Sequence, residues 1–287
     1  MSKLKDYRYA IIRVFTTSTS GVLHMLVALS IPLYTLIFLR SVMSLGISAL
    51  KMNKASLKID YKDLPLIFLS SLCYFAVMVT FYSAIVSVSP SISNIVDFST
   101  TALISVLFSL VIFRRVGRNQ SISTIFLLIG LSIAIYSVGG IPMKSLILFA
   151  VTAILNNIEG VIVRKLKNLE AQTFLFYKNT LIVLILLLIV GVNKDILDLS
   201  SVSLSGYTFV ALLSLVSFIG SYYLYKSFQL VGVLSTNLVL AFSPVLATTL
   251  LCLIFAKTVP FLVVVALIFI TIGAISEVFF RNSPLLK

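Results

Sequence analysis

Six charged side chains lie inside long apolar runs of this 287-residue chain: Arg13, Arg40, Lys178, Asp97, Glu159 and Glu277. The plainest case is Arg40, set within PLYTLIFLRSVMSLGISAL at residues 32–50. A charge at the centre of a membrane helix costs about 2.5–3.5 kcal/mol even on an insertion scale, so such residues pair with one another or face water. Cations placed there can hold an anionic part of a substrate, and a carboxylate there can carry a coupling proton. Catalysis is poorly provided for. The chain has one histidine, His24, no Asp-rich diphosphate motif and no Gly-x-Ser-x-Gly elbow, so an intramembrane enzyme is disfavoured and no metal or cofactor is expected. It also lacks a Gly-x4-Gly-Lys-Ser/Thr loop, so any pumping is expected to draw on a gradient or on exchange.

The composition explains why these charges matter. The chain is 60% hydrophobic and 11% charged, with a mean hydropathy of +1.14. A soluble domain of this length needs far more surface charge, so the lipid bilayer is the expected solvent. Cys73 and Cys252 fall inside apolar runs and are expected to act as small hydrophobes.

A spanning helix needs about 20 apolar residues, and the sequence supplies ten such runs: 8–27, 33–51, 64–86, 91–113, 120–138, 145–163, 171–191, 206–226, 232–254 and 260–280. The first is expected to remain as a signal anchor. With the N-terminus placed in the cytoplasm, sixteen of the 22 basic residues fall on the inner side, in 1–8, 51–62, 114–118, 164–167, at 226 and in 281–287. Only Lys144, Lys194 and Lys257 fall outside. Cytoplasmic loops carry Lys and Arg in excess, so a multi-pass protein of the cytoplasmic (inner) membrane with both termini inside is expected. The net charge of +13 then reflects anionic lipid and calls for no nucleic acid.

At 1.5 Å of rise per residue, Arg40 and Asp97 both come to roughly 10–12 Å below the outer face, and Glu159 and Lys178 to a similar depth from the inner face. Two ion pairs are therefore expected, Arg40 with Asp97 and Lys178 with Glu159. Arg13 and Glu277 are close enough to the cytoplasmic surface to snorkel. Polar stripes recur at helical spacing: Thr17, Gly21 and His24; Ser93, Asp97, Thr101 and Ser105; Asn156 and Gly160 beside Glu159; Ser214, Ser217, Ser221 and Tyr225. Tyr74, Met78, Tyr82 and Tyr222 could form an aromatic wall, and Asn237 lies in a further polar stretch. Close helix packing uses the same residue types, so structural glue and a polar cavity both stand open at this point.

The two halves also echo each other. YTLIFLRS at 34–41 sits over QTFLFYKN at 172–179, placing Arg40 over Lys178. FYSAIVSVSPSISNIVDFST at 81–100 sits over YKSFQLVGVLSTNLVLAFSP at 225–244. Five spans per half would insert the two copies upside down relative to each other.

IPLYTLIFLR (31–40), FYSAIVSVSPSISNIV (81–96) and LSTNLVLAFSPVLATTLL (234–251) resemble the drug/metabolite transporter superfamily, in its ten-helix branch with two EamA domains. Where that family usually has an acidic residue after helices 4 and 9, this chain has Arg114-Arg115 and Lys257, and Thr100 stands where a proline would match Pro244. The resemblance implies an all-α integral membrane protein of ten helices in two inverted repeats, 1–140 and 141–287. It also implies a secondary transporter of a small polar metabolite, zwitterionic or anionic such as an amino acid or its derivative, working as a monomer or homodimer. Export of amines or drugs, or a non-transporting scaffold role, is the alternative. The expected substrate-binding set is Arg40, Lys178, Asp97, Glu159, Asn156, His24, Tyr74, Tyr82, Tyr222 and Asn237. Arg40 and Lys178 would meet the substrate from opposite sides in turn, and Asp97 or Glu159 would carry the coupling proton.

Overall fold

The structure is a computed structural model that describes residues 4–28, 30–51, 59–86, 88, 90–113, 116–137, 140–166, 168–193, 196–255 and 258–280. Arg114, Arg115 and Lys257 lie outside the described residues. The described chain is helical throughout: α1 (Leu4–Ala28), α2 (Leu33–Lys51), α3 (Leu64–Ile85), α4 (Pro90–Phe108), α5 (Arg118–Ser137), α6 (Met143–Lys165), α7 (Ala171–Val192), α8 (Leu204–Leu230), α9 (Val233–Leu240), α10 (Ser243–Phe255) and α11 (Phe261–Phe280). Among the described residues, nine segments are long and apolar enough to cross a membrane, with α9 and α10 counted as one of them. Their outward surfaces carry Leu184, Leu187, Leu188, Val192, Leu253 and Ile254, all exposed. Lipid covers such a surface, and helices suit it because each satisfies its own backbone polar groups.

Local sequence sets the helix ends. Pro65 occupies the first turn of α3, where a missing N–H costs nothing. Ser203 caps α8, its side chain accepting from the Gly206 amide at 3.1 Å. Gly232, at φ 91°, makes the sharp turn from α8 into α9.

The run 232–254, expected as one helix, arrives as two. Pro244 has no N–H to give the carbonyl four residues earlier, so α9 stops at Leu240 and the chain turns through Ala241 and Phe242 before α10 begins. The hydroxyl of Ser18 on α1 donates to the Ser243 carbonyl at 2.9 Å and holds the break in place. Thr100 stands at the matching site of the first half, and α4 runs unbroken to Phe108 before a π-helical turn at Ser109–Phe113.

The main packing partners are α1 with α8, α3 with α6, α4 with α6, α1 with α10, α2 with α7 and α5 with α11. Glycine brings α5 and α11 close. A Cβ on Gly130 would meet Ile270 at 2.7 Å and the Ala266 carbonyl at 2.9 Å, the close approach that membrane helices build from small residues. Ser123 donates to the Gly273 carbonyl across the same contact at 2.6 Å. The other pairs surround a central cavity.

Candidate functional site

The cavity is walled by α1, α2, α3, α4, α6, α8 and α9 and has a volume of about 130 Å³. Each helix contributes one stripe. On α1, Arg13, Thr17, Gly21 and His24 face inward, spaced four, four and three residues apart. Asp97 and Thr101 do so from α4, Asn156 and Glu159 from α6, and Asn237 from α9. On α8 the inward positions are Ser217, Ser221 and Tyr225. Tyr74, Met78 and Tyr82 supply the aromatic wall from α3.

Tyr222 does not join that wall. It sits one residue past Ser221 and thus about 100° around the helix. Its ring meets Tyr223 edge-on at 5.4 Å and receives the Lys226 ammonium at 4.6 Å. Tyr225, four residues after Ser221, takes the inward place.

Of the two expected ion pairs, one forms. Lys178 Nζ lies 2.6 Å from Glu159 Oε1, with both side chains buried. The same oxygen accepts from the Tyr225 hydroxyl at 2.6 Å and from Ser70 at 3.4 Å. Lys178 also donates to Tyr225, and its ammonium lies 3.4 Å from the centre of the Tyr74 ring. This ammonium has a carboxylate, a hydroxyl and a π face, which together replace the water it gave up. It sits behind the main cavity, in a small cleft shared with Arg40, Tyr74 and Asn179.

Arg40 does not pair with Asp97. Its Nη2 donates to Tyr74 Oη at 3.0 Å, and its Nη1 donates to Tyr82 Oη at 3.2 Å and lies 3.2 Å from His24 Nε2. A guanidinium only donates, so His24 Nε2 accepts and the ring proton sits on Nδ1. The reason for the correction is azimuth. Helix α2 packs on α7, α8 and α3, whereas α4 packs on α6, α5, α9 and α10, so equal depth does not bring the two side chains together. Tyr74 thus joins the two cations, accepting from Arg40 with its hydroxyl and facing Lys178 with its ring.

The expectation that Arg13 and Glu277 snorkel is also corrected. Glu277 is buried and accepts from Tyr7 Oη at 3.3 Å. Arg13 turns into the cavity, with its Nη1 at the place a side chain on Gly220 would fill: a Cβ there would collide with it. The absence of a side chain at Gly220 lets the guanidinium lie against α8.

Asn237 is tied down by neighbours, its Nδ2 donating to Ser105 at 2.6 Å. Ser105 in turn donates to Asn157 Oδ1 at 2.6 Å, and Asn157 donates to the Thr101 carbonyl at 3.2 Å. This chain clamps α4, α6 and α9, and Asn157, which the sequence reading did not single out, is its centre.

Several cavity groups have no protein partner among the described residues. The buried side-chain atoms that make no hydrogen bond include Arg13 Nε, Thr17 Oγ1, Asp97 Oδ1, Thr101 Oγ1 and Ser217 Oγ, and all five residues line this one cavity. Buried polar atoms are normally paired, so their concentration here marks a space built for a polar occupant.

No family model matches the chain, and no curated protein does. A solved structure described only as "Crystal structure of protein" is similar to it, with a TM-score of 0.77 over 98% of this chain and 100% of that one, at 15% sequence identity. At that identity the likeness shows the fold alone.

Proposed function

We propose that the chain is a secondary transporter of the drug/metabolite transporter superfamily, in its ten-helix EamA branch. It moves a small zwitterionic or anionic metabolite across the cytoplasmic membrane by alternating access. The observation that carries this reading is the set of unpartnered polar atoms on Arg13, Thr17, Asp97, Thr101 and Ser217 around one central cavity. In this reading α1 is the first of ten spans, and 1–140 and 141–287 are oppositely inserted copies. The packing supports it. Exchanging α1 with α6, α3 with α8 and α4 with α9–α10 turns the α1–α8 contact into α6–α3 and the α4–α6 contact into one between α9–α10 and α1, while α2–α7 and α5–α11 map onto themselves.

Purified protein in proteoliposomes should show counterflow of at least one labelled amino acid or related small metabolite. Absence of counterflow across a broad metabolite panel, from protein that is folded and correctly inserted, would end the transporter reading.

Topology gives a separate check. Reporter fusions after residues 58 and 168 should score cytoplasmic and those near 142 and 196 external, following the split of basic residues. A cytoplasmic score at 142 would remove the inverted repeat.

Gly220→Ala tests the seat of Arg13. The clashes are with the flexible end of Arg13 and, at 2.8 Å, with Thr16 Oγ1, so the guanidinium and the Thr16 hydroxyl should both move while the helices stay in place. Stability should change by less than about 1 kcal/mol, since alanine is the better helix former, and transport should fall severalfold. Unchanged transport with Arg13 confirmed in place would remove Arg13 from the site.

A further inference from the structure

We infer that the occupant of the cavity is an acidic amino acid: two anionic groups and one ammonium on a small skeleton. This rests on the transporter reading and names the substrate class for the same site. Five charged groups surround or back the cavity: Arg13, Arg40, Lys178, Asp97 and Glu159. Lys178 and Glu159 neutralise each other through Glu159 Oε1, which Tyr225 and Ser70 also reach, although Glu159 itself lines the cavity. The remaining three are open. The Arg13 guanidinium makes no hydrogen bond among the described residues, and its Nε is buried. Arg40 has neutral partners only, two phenols and an imidazole. Asp97 is 7% exposed, and its Oδ1 is buried without a partner.

Two cations and one anion are therefore left to whatever enters. In a membrane interior a charge without a counter-charge is costly, so an occupant that answers all three is favoured over one that answers two. A neutral amino acid brings one carboxylate and leaves one guanidinium open. A dicarboxylate without an amine satisfies both guanidiniums and leaves Asp97 open. An amine answers Asp97 and leaves both arginines. Two carboxylates and an ammonium answer every open group, and the net charge of that molecule cancels the excess of one positive charge in the set. The hydroxyls are distributed in the same sense: Thr17 is one turn from Arg13 on α1, and Thr101 one turn from Asp97 on α4, each with a buried Oγ1 that lacks a partner. They can complete the shell of a carboxylate and of an ammonium respectively.

The test compares probes that each lack one charged group. Thermal shift of the purified full-length protein is measured against L-glutamate, L-glutamine, glutarate and 4-aminobutyrate, with counterflow in proteoliposomes alongside. Glutamate should bind at least about tenfold more tightly than each of the other three, because each leaves a buried group of the site unpaired. In Arg13→Gln the preference for glutamate over glutamine should shrink, and in Asp97→Asn the preference for glutamate over glutarate should vanish. Equal binding of glutamine or glutarate to the parent protein overturns the inference, and that series stands whether or not either variant folds. If some neutral or cationic metabolite binds and is carried while glutamate is not, the inference fails and the transporter reading survives. If nothing on a broad panel binds or is carried, both fall.

Discussion

Replacing Lys178 by methionine should destabilise the protein by about 3–5 kcal/mol, because it strands a buried carboxylate. Glu159 is 4% exposed, and without the ammonium it keeps only the hydroxyls of Tyr225 and Ser70 as donors. Glu159→Gln should cost a similar amount by leaving Lys178 charged against Tyr225 and the face of Tyr74. The double variant should recover most of the loss, since a neutral pair of similar volume needs no counter-charge. A double-mutant cycle on thermal or denaturant unfolding in detergent measures the coupling. Strictly additive losses would mean that the two groups do not act as a pair. The folded double variant also separates scaffold from site. Glu159 lines the cavity, but its Oε1 is held by Lys178 in the cleft behind it, so ligand binding that persists in the double variant leaves a handover of substrate from Arg40 to Lys178 without a basis.

That handover was legible as an idea because Arg40 and Lys178 align between the halves, and the pairing of Lys178 with Glu159 follows from matching depths. The same argument failed for Arg40 and Asp97. Depth is read from position along a helix, whereas a contact also needs azimuth and a neighbour, and among the described residues α4 is not one of the main packing partners of α2. Apolar runs located the helices to within a few residues because a bilayer demands length and little else. The break at Ala241–Phe242 was signalled only by Pro244, and the π-helical turn after α4 left no mark in residue types. Arg13 shows what one helical wheel can add. Judged by distance from the helix end it belonged at the surface, yet it stands four residues before Thr17 on the stripe that already held Gly21 and His24. Its seat on α8 depends on Gly220, which is 207 positions away in the chain and has no recognisable pattern around it. Tyr222 and Tyr225 differ by less than one turn, and only the stripe through Ser217 and Ser221 selects the second.

Asp97→Asn should raise stability and abolish selective transport at once. The carboxylate is 7% exposed with Oδ1 unpartnered, so in the empty protein it is a cost. An amide keeps the shape and removes the charge, and a gain of about 1–3 kcal/mol is expected from no longer burying an uncompensated carboxylate. Residues kept in a site against the interest of the fold are those the function needs, and stabilising such a position commonly removes activity. Counterflow of the ammonium-bearing substrate should drop at least about tenfold in the same preparation whose melting temperature rises. The two readouts exclude different alternatives. A fall in melting temperature would show that Asp97 holds helices together through a partner, making it scaffold. A rise in melting temperature with undiminished counterflow would show that the carboxylate meets neither substrate nor proton, leaving Arg13 and Arg40 as the whole of the charged site.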